Sequence, residues 1–238
     1  MEKVMGKRVG IIAAMKQEMQ AIKEVMEDIA VNKIYELECY EGRISNADVV
    51  LVKCGVGKVN AARTTQILIN HYDLSYIINV GSAGSIKDDI HYGDIVIGKY
   101  LVQHDFDITA FGHEKGYISN IGVKIESDKK LIARCEKAIS QIMNPSYKIS
   151  IGTIASGDIF CTTVKMKNKI REKFNADCVE MEGAAIAQVC YLDKVPFVII
   201  RSISDSPNGN NEIDFNQYLD RASKRCAEFI KILEQEQQ

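Results

Sequence analysis

Val195-Pro196-Phe197-Val198-Ile199-Ile200-Arg201-Ser202-Ile203-Ser204-Asp205 is the most apolar strand-like run in the chain, and it ends on polar and charged residues. A short, continuous apolar run of this kind reads as a strand buried on both faces. Such strands belong to sheets covered by helices on both sides, and ligands sit beyond their carboxyl ends. The polar end of this run is therefore the first place to look for chemistry.

Working outward, Arg8–Ala14, Tyr76–Val80, Lys148–Ala155 and Cys178–Met181 read as further buried strands, and Asp94–Val102 mixes strand and loop character. Lys33–Glu41 and Ala47–Cys54 read as a hairpin turning at Gly42–Asn46. Helical periodicity runs from Met15 to about Asp28, from Lys58 to His71 and from Gly183 to Leu192. Ser127–Met143 is an amphipathic helix stopping before Pro145, Thr163–Phe174 a basic helix, and Glu212 to the C-terminus a closing helix with a frayed tail. Strands and helices alternate almost throughout, which predicts an α/β fold with a parallel or mixed sheet. There is no linker, repeat or low-complexity segment, so residues 1–238 read as one domain with frayed termini.

Composition narrows the function. The 238 residues carry a formal net charge of −2 and are 46% apolar, which excludes disorder and argues against a nucleic-acid binder. No apolar run approaches the roughly 18–20 residues of a membrane helix, and no signal-peptide pattern follows the charged start, so a cytoplasmic protein is expected. The seven cysteines form no C-x-x-C pair and read as reduced, mostly buried small hydrophobes.

Several motifs fail a chemical test. Gly55-Val56-Gly57-Lys58 lacks the leading glycine of a phosphate loop at position 52 and the hydroxyl at 59, both of which are Val. Asn60 stands where a dinucleotide fingerprint needs its third glycine, leaving a tight strand-to-helix turn. His104-Asp105-Phe106-Asp107 has no second histidine at ligand spacing and reads as loop, with no metal implied. The lysines between Lys165 and Lys173 alternate at two-residue spacing and read as a solvated helix face.

Other segments stay open between structure and function. Gly81-Ser82-Ala83-Gly84 follows a strand and is either a bland turn or a close backbone approach to a ligand. Glu18 either complements a helix N-terminus or points into the crevice. Glu180 and Glu182 close an apolar strand, and strand alternation puts both on one face. Asp205 is either a cap or an acid at a strand end.

Taken in order, seven segments are similar to one family: GIIAAMKQE (Gly10–Glu18), GVGKVNAA (Gly55–Ala62), NVGSAG (Asn79–Gly84), DITAFG (Asp107–Gly112), ASGD (Ala155–Asp158), VEMEGAAIA (Val179–Ala187) and RSISD (Arg201–Asp205). The resemblance they carry covers about residues 8 to 233. The chain resembles bacterial 5′-methylthioadenosine/S-adenosylhomocysteine nucleosidases of the purine nucleoside phosphorylase superfamily. The resemblance implies a single α/β domain around a twisted mixed sheet flanked by helices, a homodimer, and no cofactor or metal. It also implies hydrolysis of the N-glycosidic bond of methylthioadenosine and S-adenosylhomocysteine, with 5′-deoxyadenosine as a further substrate.

The resemblance also assigns residues. Asp205 corresponds to the general acid at adenine N7, Glu18 to the base for water, and Glu182 to the acceptor of the ribose hydroxyls. Phe160 matches the aromatic stacked on adenine, the Cys161 backbone the segment reading its edge, and Met181 a contact to the ribose. Ser82 and Gly84 line the water and ribose side, Val56 lies near the 5′-sulfur, and Arg201 and Ser204 join the binding set. Phe111 and His113 match a loop lent by the neighbouring subunit. His113 departs from the family's usual aromatic and Cys161 from its usual aliphatic residue.

Two rivals share the fold. A nucleoside phosphorylase would place arginines around phosphate, where this chain has Asn79 and Glu18. An aminodeoxyfutalosine hydrolase would differ only in the pocket around Val56, Phe111 and His113. A non-catalytic nucleoside-binding protein should have lost one of the three acids, and all three are present.

Overall fold

The computed structural model describes residues 4–142, 146–205 and 211–235. In chain order the elements are β1 (Val4–Ala13), α1 (Lys16–Lys23), β2 (Glu27–Ile34), β3 (Leu37–Ile44), β4 (Ala47–Lys53), α2 (Lys58–His71), β5 (Tyr72–Ser85) and β6 (Ile95–Gln103). A 3-10 turn at Thr109–Phe111 precedes β7 (Ile125–Glu126), α3 (Lys129–Gln141), β8 (Ile149–Ser156), α4 (Val164–Phe174), β9 (Cys178–Glu180), α5 (Gly183–Asp193), β10 (Phe197–Asp205) and α6 (Asn211–Gln235).

All the strands belong to one mixed sheet. β1 lies parallel to both β4 and β5, and β5 parallel to β10. β10 also pairs antiparallel with β6, β6 and β8 run parallel, and β9 joins β8 to β5. These pairings close β5, β10, β6, β8 and β9 into a ring, while β1, β4, β3 and β2 extend as an open wing.

Side-chain alternation along the central strands builds two cores. Phe197, Ile199 and Ile203 of β10 face the layer formed by α2 and α5. Val198 and Ile200 face the layer of α1, α3 and α6, against Phe229 and Leu233. Burying each such side chain stabilises the fold by about 1.5–3 kcal/mol. α5 lies close to the sheet because its first turns are Gly183, Ala184 and Ala185; a Cβ at Gly183 would stand 2.9 Å from Ile199 Cγ2.

The fold class agrees with the sequence, and the largest departures lie in the wing. The helix expected from Met15 to Asp28 ends at Lys23, and β2 begins at Glu27. The predicted hairpin is a three-stranded meander, because a turn at Tyr35, held at φ 53°, splits Lys33–Glu41. β2 is an edge strand whose Ile29 and Val31 are exposed, so no alternating apolar pattern marks it. Gly42 sits inside β3, where a Cβ would meet the Glu27 carbonyl oxygen at 2.6 Å. Cross-strand pairing overrides local periodicity here. Gly81–Gly84, read as lying after a strand, is the last part of β5 itself. The expected helix end at Met143 and the fraying of both termini fall outside the described residues.

Candidate active site

A cavity of about 520 Å³ opens at the carboxyl ends of β1, β5 and β10. Glu18, Val56, Ser82, Gly84, Phe160, Cys161, Met181, Glu182, Ser204 and Asp205 all line it, so strand-end reasoning and the family resemblance together brought ten predicted residues to one place. Its other lining residues include Ile159, which the sequence did not single out, and Glu180, which the sequence left open between structure and function.

Glu18 sits in the first turn of α1 and is 4% exposed. Its Oε2 accepts the backbone N–H groups of Ala14 and Met15, each at 3.0 Å. Its Oε1 accepts the N–H of Ser82 at 2.9 Å and the Ser82 hydroxyl at 3.1 Å. The carboxylate is thus aimed and held from two elements. Gly81 leaves the room: a Cβ there would stand 2.9 Å from Glu18 Oε1. Gly84 does the same for the second acid, since its Cβ would meet Asp205 Oδ2 at 2.7 Å. The two glycines of the motif make way for one acid each.

Glu180 and Glu182 do not share a strand face. β9 ends at Glu180, and Glu182 is the N-cap of α5. Glu180 caps α5, accepting the N–H groups of Glu182 at 2.9 Å and Gly183 at 2.8 Å, and it pairs with Arg201 at 2.5 Å. Burial works to raise its pKa, but Arg201, Ser156 and the backbone donors outweigh it and hold the carboxyl below the usual range. Glu182 accepts the Gly57 N–H at 2.9 Å, with Arg201 3.9 Å away. Burial and then the Glu180 charge push it up to about 8. Two carboxylates beside one guanidinium are thereby driven apart.

Arg201 does not line the cavity. It is 1% exposed, one layer behind, and bonds Asn79 Oδ1 at 2.5 Å as well as Glu180. Its guanidinium thus stands against both acids, paired with Glu180 and 3.9 Å from Glu182. Asn79, at the position where the phosphorylase pattern has arginine, spends its amide on the Ile12 carbonyl at 2.9 Å.

The basic helix is also not a uniformly solvated face. Lys167 is 1% exposed and shares the inner stripe of α4 with Ile170 and Phe174. Its Nζ lies 2.8 Å from Asp205 Oδ2. The i, i+3, i+7 spacing of these three residues was the signal that could have found it.

A polar brace links two segments that contribute lining residues to the cavity. Lys58 Nζ pairs with Asp105 at 2.6 Å, Asp105 accepts the Asp158 N–H at 2.8 Å, and Asp158 accepts the Lys58 N–H at 2.8 Å. It ties the Gly55–Lys58 turn to the loop carrying Phe160 and Cys161. Phe160 is 41% exposed at the rim, and the Cys161 thiol is pushed up to about 11, chiefly by burial. Phe111 and His113 lie outside this cavity: Phe111 is 81% exposed, and His113 stacks on Tyr117 at 4.4 Å. Among the described residues no cluster of three His, Cys, Asp or Glu side chains is placed to hold a metal, and no helix is long and apolar enough to cross a membrane.

A mainly apolar cavity with a backbone-held carboxylate on one wall and a second acid on another defines an α/β acid–base enzyme for a small molecule. Residues 8–234 match the phosphorylase superfamily. The chain belongs to that superfamily and, within it, to the 5′-methylthioadenosine/S-adenosylhomocysteine nucleosidases. A nucleosidase of that name from Staphylococcus aureus (strain bovine RF122 / ET3-1) is 38% identical over 226 residues, covering 94% of this chain and 98% of the relative. The Neisseria meningitidis nucleosidase, solved with methylthio-immucillin-A, superposes with a TM-score of 0.91 at 35% identity, over 97% of this chain and 99% of that one. A futalosine hydrolase from Helicobacter pylori strain 26695 gives a TM-score of 0.91 at 30% identity, over 97% and 98% of the two chains.

Proposed function

We propose that this single-domain enzyme hydrolyses the N-glycosidic bond of 5′-methylthioadenosine and S-adenosylhomocysteine, releasing adenine. The observation that carries the reading is Glu18, held by three backbone N–H groups and a hydroxyl at the strand–helix turn where phosphate would otherwise bind. A carboxylate there repels phosphate and suits the orientation and deprotonation of water.

The remaining residues fit the charge that develops. Breaking the bond makes a cationic ribose and a purine that leaves more readily with a proton on N7. Asp205, on the wall behind Gly84, is assigned as the acid. Glu182 is assigned to the ribose hydroxyls, whose hydrogen bonds strengthen as the ring becomes positive. Phe160 offers a stacking face, the Cys161 backbone an edge for adenine, and Met181 and Val56 apolar contacts to the ribose and the 5′-sulfur. Ser204, beside Asp205, supports that wall.

The high exposure of Phe111 supports a homodimer in which Phe111 and His113 cover the 5′-pocket of the second copy. Seven unpaired cysteines support the reducing cytoplasm as its compartment.

Product analysis by mass spectrometry tests the reading. Incubation with methylthioadenosine should give adenine and free methylthioribose, unaffected by phosphate. Methylthioribose 1-phosphate appearing only with phosphate would overturn it. The likeness to a futalosine hydrolase adds aminodeoxyfutalosine to the same assay; its preferential cleavage would move the 5′-group without moving the chemistry.

A further inference from the structure

Lys167 has no part in the chemistry assigned so far, yet it is fully buried on the inner face of α4, in an apolar stripe with Ile170 and Phe174. An ammonium in such a position is costly unless paired. Its partner is Asp205 Oδ2, at 2.8 Å, with both side chains almost inaccessible to water. Lys167 does not line the cavity, so it reaches the acid from behind. Gly84 packs against the same oxygen, leaving a carboxylate clamped between a glycine and an ammonium.

We infer that the proton given to the leaving purine is stored on the Lys167–Asp205 pair, with Lys167 the positioning residue that holds it. The inference rests on the nucleosidase reading above. In a dry setting an ammonium–carboxylate pair and its neutral amine–acid form lie closer in energy than in water, and lysine, unlike arginine, gives up its proton readily there.

The step balances. As the C1′–N9 bond breaks, its electron pair passes into the purine. Asp205 delivers a proton to N7 and takes one from Lys167 Nζ across the hydrogen bond. This leaves neutral adenine, the Asp205 carboxylate and a Lys167 amine. C1′ takes the hydroxyl of a water whose other proton goes to Glu18. Exchange with solvent after product release returns a proton to Lys167 and removes one from Glu18.

The test compares two leaving groups. Methylthioadenosine needs protonation at N7; the matching 5′-methylthio riboside of 4-nitrophenol leaves as a stable anion and does not. Lys167→Met should lose about hundredfold in kcat on methylthioadenosine, with KM within about threefold, and keep the nitrophenyl rate within about threefold. Equal losses on both substrates mean a merely structural role and overturn the inference, as does an unchanged adenine rate. Lys167→Arg keeps a cation but cannot release a proton, so it should show the same split; full adenine turnover in that variant would also overturn it. Wild type that releases no adenine would bring down the functional reading itself, and this inference with it. Wild type that turns over while Lys167→Met loses nothing would sink only the inference.

Discussion

Glu18 grips Ser82 by two atoms at once, its Oε1 receiving both the backbone N–H and the hydroxyl. That grip joins the first turn of α1 to the end of β5. Glu18→Gln keeps the shape but turns one acceptor oxygen into a donor facing other donors. Turnover is expected to fall by about 10²–10⁴, the usual contribution of a general base. Steady-state kinetics on methylthioadenosine check this, and a loss below about tenfold would remove Glu18 from that role.

Asp205→Asn preserves volume and removes the transferable proton. It should abolish most turnover on adenine nucleosides while leaving a ribocation-like inhibitor bound. Calorimetry beside kinetics separates the two, and a kcat close to wild type would show that Asp205 is not the acid.

Glu182 sets a pH dependence whose sign follows from its pKa, raised from 4.5 to about 8. Between those values the unfolded chain has released a proton that native Glu182 retains. Its contribution to stability is complete below pH 4.5 and is lost as pH rises through about 8. Glu182→Gln removes this slope, so its melting temperature should gain on wild type as pH rises across that window. Accepting both ribose hydroxyls requires the ionised form, so inhibitor binding near pH 7 should release a proton. Calorimetry in buffers of different ionisation enthalpy measures that release.

Arg201→Met leaves Glu180 buried without its cation. Removing one partner of a buried ion pair costs about 3–5 kcal/mol. Urea denaturation should show a loss of that order, and a change within experimental error would mean that Glu180 takes up a proton at no cost.

Phe111→Ala should leave the melting temperature unchanged, since the side chain is 81% exposed in one copy of the chain. If it serves a neighbour, KM for nucleosides with long 5′-groups should rise. Light scattering provides the companion measurement, and a fully active monomer would contradict the shared site.

The sequence reading succeeds where local pattern is strong. β10 was legible from its continuous apolar run, α2 from its periodicity, and Glu18, Glu182 and Asp205 from their places at strand ends and from the family resemblance. It fails where pairing is distant. Glu180 and Arg201 stand 21 residues apart and meet across the ring, so nothing near either residue marks the pair. Lys167 was hidden by its neighbours, because four other basic residues on α4 made it look like part of a wet surface. β2 escaped because an edge strand with its apolar side chains turned outward carries no binary pattern.

The two glycines that admit Glu18 and Asp205 lie on β5, and β5 hydrogen-bonds β1, β9 and β10. The walls of the cavity and the centre of the sheet are therefore the same piece of chain. The enzyme has no sacrificial part: it cannot loosen around its substrate site and remain assembled elsewhere. Over evolutionary time its chemistry and its foldability must drift together, and any substitution that relaxes the middle of β5 is judged on both counts at once.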